Sequence, residues 1–492
     1  MQRRTFLGGV AVAGLAAPWL QAWSAVDMAS APVGLPLLAS DLLPAGATLR
    51  ELPKLANASS TPGHFQATLT AAPLTLPFIP GHASTEFWAY NDGLPGPLIE
   101  LFEGDMVEIT FINNLKQPST IHWHGLPIPP DQDGNPHDPV PPGGRHTYRF
   151  NLPQGSAGTY WYHPHPHQYT AEQAFRGLAG PLLVRSREDP LAELPERLLV
   201  VSDLKLDRYA AIAPNDANDW MNGREGQFAL VNAQHQPVLP FDAGGRERWR
   251  VWNACSARYL QLALPGSTLT LVGTDGGLLE APQPVQREYL LAPAQRIELI
   301  VDAGSLRDRI ELNANIYPRG KMGDVSPDKA MSLLTVDFTA VRATAVAALP
   351  GRLGSVADLG PVTAHKQVVF SEKMNMANGS HRMQFLINDQ EYDMGRVDLV
   401  SKVNEVELWE IVNRSDMDHP FHLHGTQFQV VERELGGVIT PAPFRAWQDT
   451  VNLRSNEIVR IKTVQRWSGL RMFHCHILEH EATGMMGQLK VV

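Results

Sequence analysis

Apolar and polar residues alternate along three well-separated stretches of the chain, 107–113, 248–253 and 406–413, and each stretch ends in an asparagine. A period of two sends alternate side chains to one face, so each stretch predicts a half-buried β-strand. Similar short stretches recur between Gly, Pro, Asn and Asp turn signals, while long runs of helical periodicity are scarce. The pattern predicts an all-β chain of three consecutive, duplicated antiparallel β-sandwiches over residues 45–190, 191–345 and 360–492. The linkers would be the Pro- and charge-bearing 186–196 and the Ala-, Gly- and Pro-rich 340–362.

Length supports several domains, because single cores stop growing at about 250–300 residues and this chain has 492. The net charge of −10 is scattered, with no basic stripe to neutralise phosphates or an anionic bilayer. Nucleic acid is therefore not an expected partner, and stable membrane insertion is not expected either. One hydrophobic run stands apart. Arg3-Arg4-Thr5-Phe6-Leu7 leads into apolar residues as far as Leu20, too short for a confident span and lacking a polar face. It reads as a twin-arginine signal peptide over 1–31, with the mature start somewhere between 25 and 45. That predicts handling by the twin-arginine export machinery and a periplasmic or secreted protein.

Counting from the three asparagines exposes the chemistry. Nine residues after Asn113 stands His122-Trp123-His124-Gly125, and nine after Asn413 stands His422-Leu423-His424-Gly425. Nine after Asn253 the same positions hold Leu262-Ala263-Leu264. Five residues after Gly158 comes His163-Pro164-His165, and five after Gly469 comes His474-Cys475-His476. In a strand, residues i and i+2 face one way, so each His-x-His aims two imidazoles together. One such pair is ordinary structure. Four pairs at matching places in duplicated domains, absent from the domain between them, predict metal ligands.

The metal is chosen by the last segment. His480 lies five residues after Cys475, Met485 five beyond that, and His419 just ahead of the His422 pair. A thiolate, two imidazoles and a thioether are the ligands of a blue-copper electron-transfer site. Only Cys255 and Cys475 are present, and giving Cys475 to the metal leaves Cys255 free and buried. Alternation turns Cys475 away from His474 and His476, so one tripeptide touches two metal sites. An electron reaching the thiolate site can pass along that backbone to a histidine cluster drawn from the first and third domains.

The motifs HWHG at 122, HPH at 163, HPFHLHG at 419 and HCHILEHEATGM at 474 resemble those of multicopper oxidases. The stretches NDGLPGP at 91–97 and GTDGG at 273–277 are similar to those of bacterial laccases and cuprous oxidases. The resemblance implies three cupredoxin-like Greek-key domains and four copper ions. A type 1 ion would sit on His419, Cys475, His480 and Met485, and a type 2 ion on His122 and His422. The type 3 pair would use His124, His163 and His476 on one ion and His165, His424 and His474 on the other. Histidines 64, 82, 137, 146, 167, 235, 365 and 381 remain as surface or structural residues, and the family counterpart of His167 does not bind copper.

The implied reaction oxidises a reducing substrate one electron at a time and reduces dioxygen to water. Its protons call for buried carboxylates; Glu481, beside His480, and Asp133, nine residues after His124, match acidic positions used for this in relatives. The reductant would be a phenol, an aromatic amine or Cu(I). Specialised cuprous oxidases carry a long Met-rich insertion, whereas 374–394 is short and holds only Met374, Met376, Met383 and Met394. Met417, with Asp416 and Asp418, offers a modest alternative Cu(I) site. The sequence favours a laccase-like enzyme with cuprous oxidase activity second. Met485 as axial thioether predicts a low to moderate type 1 potential. A copper-free envelope scaffold on the same fold is the competing class, and it would lack ligand residues that are all present here. A copper nitrite reductase ranks lower, because it needs no four-pair histidine cluster.

Overall fold

A computed structural model describes residues 36–340, 346, 348–375 and 382–492, with the backbone alone for Arg382. The Arg3-Arg4 segment, Met376 and His381 lie outside the described residues. Strands dominate, and they fall into three pairs of sheets. In the first pair, Thr85–Tyr90, His64–Leu76, Met106–Asn113 and Arg145–Asn151 form one sheet. Its mate orders Ile99–Phe102, Gly180–Arg185, Gly158–His163 and His122–His124. The middle and last pairs are larger, with seven and five strands and with six and five strands.

The sheets are not purely antiparallel as the sequence suggested. His64–Leu76 runs parallel to Met106–Asn113, Glu196–Leu204 to Arg246–Asn253, and Ala364–Asn375 to Val406–Asn413. The physical reason is connectivity: the chain leaves one sheet, crosses the sandwich and returns beside an earlier strand in the same direction, which a tight hairpin cannot achieve.

The repeated asparagine has a structural task in all three copies. The Asn113 amide donates to the carbonyls of Gln117 and Val140, and that of Asn253 to Arg258 and Leu291. Asn413 donates to Met417, Leu453 and Arg454. Each side-chain oxygen accepts the backbone N–H two residues on, at Leu115, Cys255 and Ser415. One side chain thus satisfies several otherwise orphaned backbone groups where the chain turns from one sheet to its mate.

Each pair of sheets closes on its own apolar core, centred on residues such as Val107, Phe111 and Leu182, then Val251, Leu299 and Val336, then Ile411, Phe421 and Phe473. Leu262 and Leu264 belong to the middle core, where they pack instead of ligating. Among the described residues, the short helices α1 (Thr170–Phe175) and α2 (Ala217–Asn222) both pack on α3 (Leu478–Ala482). Among the described residues no helix is long and apolar enough to cross a membrane. Cys255 is free and buried.

Candidate metal centres

The four histidine pairs converge where the first and last sandwiches meet. His122 and His163 are partners across one strand pair, and His422 and His474 across another. His424 and His476 follow directly after the ends of their strands, and His165 lies two residues beyond the end of its own. All eight imidazoles are buried. His122 Nε2 lies 3.4 Å from His422 Nε2, while His474 Nε2 lies 3.2 Å from His165 Nε2 and 3.1 Å from His424 Nε2. The His124 ring stacks on His422 and the His122 ring on His424, each at 3.8 Å between centroids.

Burial, reinforced by neighbouring imidazoles, holds His124, His163, His165, His422, His424 and His476 well below the usual histidine range. His474 is pulled down to about 3 by the same desolvation. Neutral imidazoles with free lone pairs are what a metal requires. The outward nitrogens are anchored: His122 Nδ1 donates to the Asp133 carbonyl (3.1 Å), His422 Nδ1 to that of Asp449 (2.8 Å) and His474 Nδ1 to that of Cys475 (2.8 Å). The ring atoms His124 Nδ1, His163 Nε2, His165 Nδ1 and both nitrogens of His476 are buried without a hydrogen-bond partner. Each such atom costs on the order of 1–3 kcal/mol if left unmet. Those of these nitrogens that face the other imidazoles would be met by metal ions held in the cluster, so the residues fit the copper that their pattern implies.

Both carboxylates named from the sequence touch the cluster and are buried, which excludes a solvated loop role. Asp133 spans two ligands, with Oδ1 3.0 Å from His122 Nδ1 and Oδ2 3.1 Å from His424 Nδ1. Glu481, on α3, stands 3.8 Å from His165 Nε2, and burial pushes its carboxyl up to about 8. A third acidic residue escaped the sequence reading. Asp449 Oδ1 accepts from His124 Nε2 at 3.0 Å.

The second centre lies in the last sandwich. Cys475 Sγ is 3.4 Å from His419 Nδ1 and 3.9 Å from His480 Nδ1, and those two nitrogens are 3.3 Å apart. The Ile477 N–H points at the sulfur, 3.4 Å away. Burial pushes the Cys475 thiol up, so a cation is needed to hold it as thiolate. Met485 is fully buried in the same core and its carbonyl accepts from the Cys475 N–H at 3.1 Å. The outer edges are covered. His480 Nε2 donates to the Met221 carbonyl of α2 (3.1 Å) and its ring stacks on Phe385. His419 Nε2 meets Ser415 Oγ at 2.8 Å, with Glu372 Oε1 3.0 Å away.

The suggested Cu(I) site at Met417, Asp416 and Asp418 does not form. Met417 is fully buried with its sulfur accepting from Arg319 Nη1, and Asp418 is taken up by Tyr317 and Asn452. Asp416 alone is exposed. The reason is the asparagine corner: Asn413 binds the Met417 carbonyl and turns that side chain inward. His167 packs its ring on Tyr392, apart from the cluster.

Comparison with known proteins agrees with this geometry. Family models described as "Multicopper oxidase" match residues 77–189, 196–310 and 366–492. The multicopper oxidase mco of Staphylococcus aureus is 32% identical over 444 residues, covering 87% of this chain and 89% of that protein. A solved structure described as a multicopper oxidase from Campylobacter jejuni, a metallo-oxidase, superposes with a TM-score of 0.88 at 43% identity, covering 94% of this chain and 98% of that one. The cell division protein FtsP of Proteus mirabilis is 28% identical, covering 84% of this chain and 86% of that protein. Three matched segments, a relative above 30% identity over most of both chains and a shared fold place the chain in one group: it belongs to the multicopper oxidase family.

Proposed function

We propose that this chain is an exported copper-dependent oxidoreductase that takes electrons from a small reductant and delivers them to dioxygen. The observation that carries this reading is the set of eight buried imidazoles gathered from both outer sandwiches, joined through Cys475 to a separate His/Cys/Met centre. His419, Cys475, His480 and Met485 would hold one copper, His122 and His422 a second, and His124, His163 and His476 with His165, His424 and His474 the remaining two. Copper there supplies one-electron transfer at the thiolate site and reduction of dioxygen to water at the cluster. The chain's own part is to position, connect and protonate. Cys475 lies between His474 and His476, so the two centres share one short stretch of backbone. Asp133 orients His122 and His424, and Glu481 stands beside His165 as a buried acid placed to pass a proton to the cluster.

For the reductant we favour a small cation, Cu(I) first, with phenols and aromatic amines oxidised more slowly. The sequence alone leaned the other way. Neither imidazole of the thiolate centre reaches the surface, and the nearly buried Glu372 carboxylate sits against His419. A bulky aromatic cannot touch either ring edge, whereas a carboxylate attracts a cation. The Campylobacter relative's description as a metallo-oxidase supports the same order. The FtsP relatives keep an envelope scaffold in view, but all twelve metal donors are retained here. Export rests on the Arg3-Arg4 pattern, which periplasmic fractionation tests directly.

The experiment is oxygen uptake by the copper-loaded protein with Cu(I), a phenol and an aromatic diamine in turn. The reading predicts uptake with at least one donor and the highest kcat/KM for Cu(I). Highest kcat/KM for the phenol overturns the substrate order, and no uptake with any donor overturns the oxidase reading.

A further inference from the structure

The middle sandwich supplies no metal donor, yet it reaches the cluster through two buried charged residues, Arg296 and Asp275. Arg296 opens the strand Arg296–Asp302, and Asp275 lies in the turn after Thr268–Thr274. The guanidinium grips Asp449 with both arms, Nη1 to Oδ1 at 2.8 Å and Nη2 to Oδ2 at 2.5 Å. Its Nε donates to the Thr159 carbonyl of the first sandwich at 2.7 Å. Asp275 Oδ1 accepts the Arg296 N–H at 2.8 Å, and its Oδ2 faces the N–H groups of Asp449 and Thr450 at 3.3 and 3.4 Å. Two further bonds tie this turn to Trp447, from Thr274 Oγ1 and from the Gly276 N–H.

What is held by this clamp touches ligands from both outer sandwiches. Asp449 Oδ1 accepts from His124 Nε2 at 3.0 Å and from Thr450 Oγ1 at 2.9 Å, while the Asp449 carbonyl accepts from His422 Nδ1 at 2.8 Å. One residue therefore fixes the ring orientation of a first-sandwich and a last-sandwich histidine, and the middle sandwich fixes that residue. Gly125 marks how tightly the parts approach: a Cβ there would lie 2.1 Å from Asp449 Oδ2 and 2.7 Å from Arg296 Nη2.

We propose that Arg296 and Asp275 are positioning residues for the interdomain copper cluster, acting through Asp449 on His124 and His422. A buried, paired guanidinium is a poor choice for stability alone, since well-packed apolar groups serve as well, but its planar fork imposes one geometry on a carboxylate. Partners behind metal-bound histidines set ring orientation, and losing them weakens metal binding by about 10–100-fold. The inference rests on the cluster binding copper, so the test has to separate the two.

Load wild type, Arg296→Lys and Asp275→Asn with copper, then measure copper per chain, the type 2 and type 1 electron paramagnetic resonance signals, and copper retention against a chelator. Arg296→Lys keeps the charge and loses the fork; Asp275→Asn keeps the volume and loses the charge, and it carries the test if the lysine variant does not fold. The expected result is a type 1 signal unchanged in all three proteins, with a type 2 signal altered or diminished and chelator resistance about 10–100-fold lower in the variants. Variants with the wild-type type 2 line shape and chelator resistance, and only a lower unfolding temperature, would reduce the clamp to a structural tie and overturn the proposal. A wild type with a type 1 signal but no type 2 signal overturns the underlying cluster reading instead.

Discussion

His122 stands directly opposite His163 across an antiparallel strand pair, and His422 stands opposite His474 in the same way. In the middle sandwich the equivalent position pairs Leu262 with Ala314. Because side chains alternate along a strand, this register alone decides that the imidazoles face one shared cavity; a slip of one residue would send all of them to the other face. The same alternation puts Cys475, opposite Phe421, on the apolar side of its strand. Two candidate metal centres on opposite faces of one strand follow from the geometry of the sheet.

Replacing Cys475 by Ser should remove the thiolate centre and spare the cluster. Copper content should fall by about one ion per chain, blue absorption should vanish, and oxygen uptake should drop by at least about 100-fold, since a hydroxyl is a poor ligand for this site. Metal analysis with visible spectroscopy checks this, and unchanged turnover would refute the electron path.

Asp133 and Glu481 should fail differently. Asp133 braces two ligands, so Asp133→Asn should weaken copper retention about 10-fold or more. Glu481 has one imidazole nearby and an unpartnered Oε2, so Glu481→Gln should keep its copper and lose about 100-fold in turnover. Copper analysis alongside oxygen uptake distinguishes the two defects.

Gly125→Ala should destabilise far more than Gly46→Ala, although both glycines have positive φ, +84° and +85°. Strain alone costs roughly 1 kcal/mol. Gly46 has nothing within 4 Å of an added Cβ, whereas at Gly125 that atom collides with Asp449. Unfolding temperatures of the two variants should therefore separate clearly.

Glu196 ties the first and middle sandwiches together through Arg185 and Arg250. Burial works to raise its carboxyl, but the Arg250 and Arg185 guanidiniums outweigh it and hold the pKa down to about 2. A depressed folded-state pKa contributes stability above the ordinary value of 4.5, and that contribution drains away as pH falls toward about 2. Glu196→Gln should thus cost about 2 kcal/mol at pH 6, allowing for partial exposure, with the gap from wild type closing progressively below about pH 4. Thermal unfolding of both proteins across that range measures it.

The ligands were legible in the sequence because strand alternation and duplication are local patterns: four His-x-His pairs and three asparagines at fixed spacings need no tertiary information. The short α3, which carries His480 and Glu481, was not legible, since five residues are too few for a helical period. Asp449 and Arg296 were missed for another reason. Their partners are far off in the chain, His124 and Asp449 being 325 residues apart, and only the docking of one sandwich on another brings them together. The inward turn of Met417 was likewise invisible, because it depends on the Asn413 bond and on Arg319 arriving from the middle sandwich.

Whether this chain couples a reductant to the complete reduction of dioxygen is decided by the stoichiometry of the copper-loaded protein. With Cu(I) supplied in excess and dioxygen followed by electrode, four Cu(I) should be oxidised for each dioxygen consumed, with no hydrogen peroxide released. Oxygen consumption no faster than that of free copper, or two Cu(I) per dioxygen with peroxide accumulating, would contradict it.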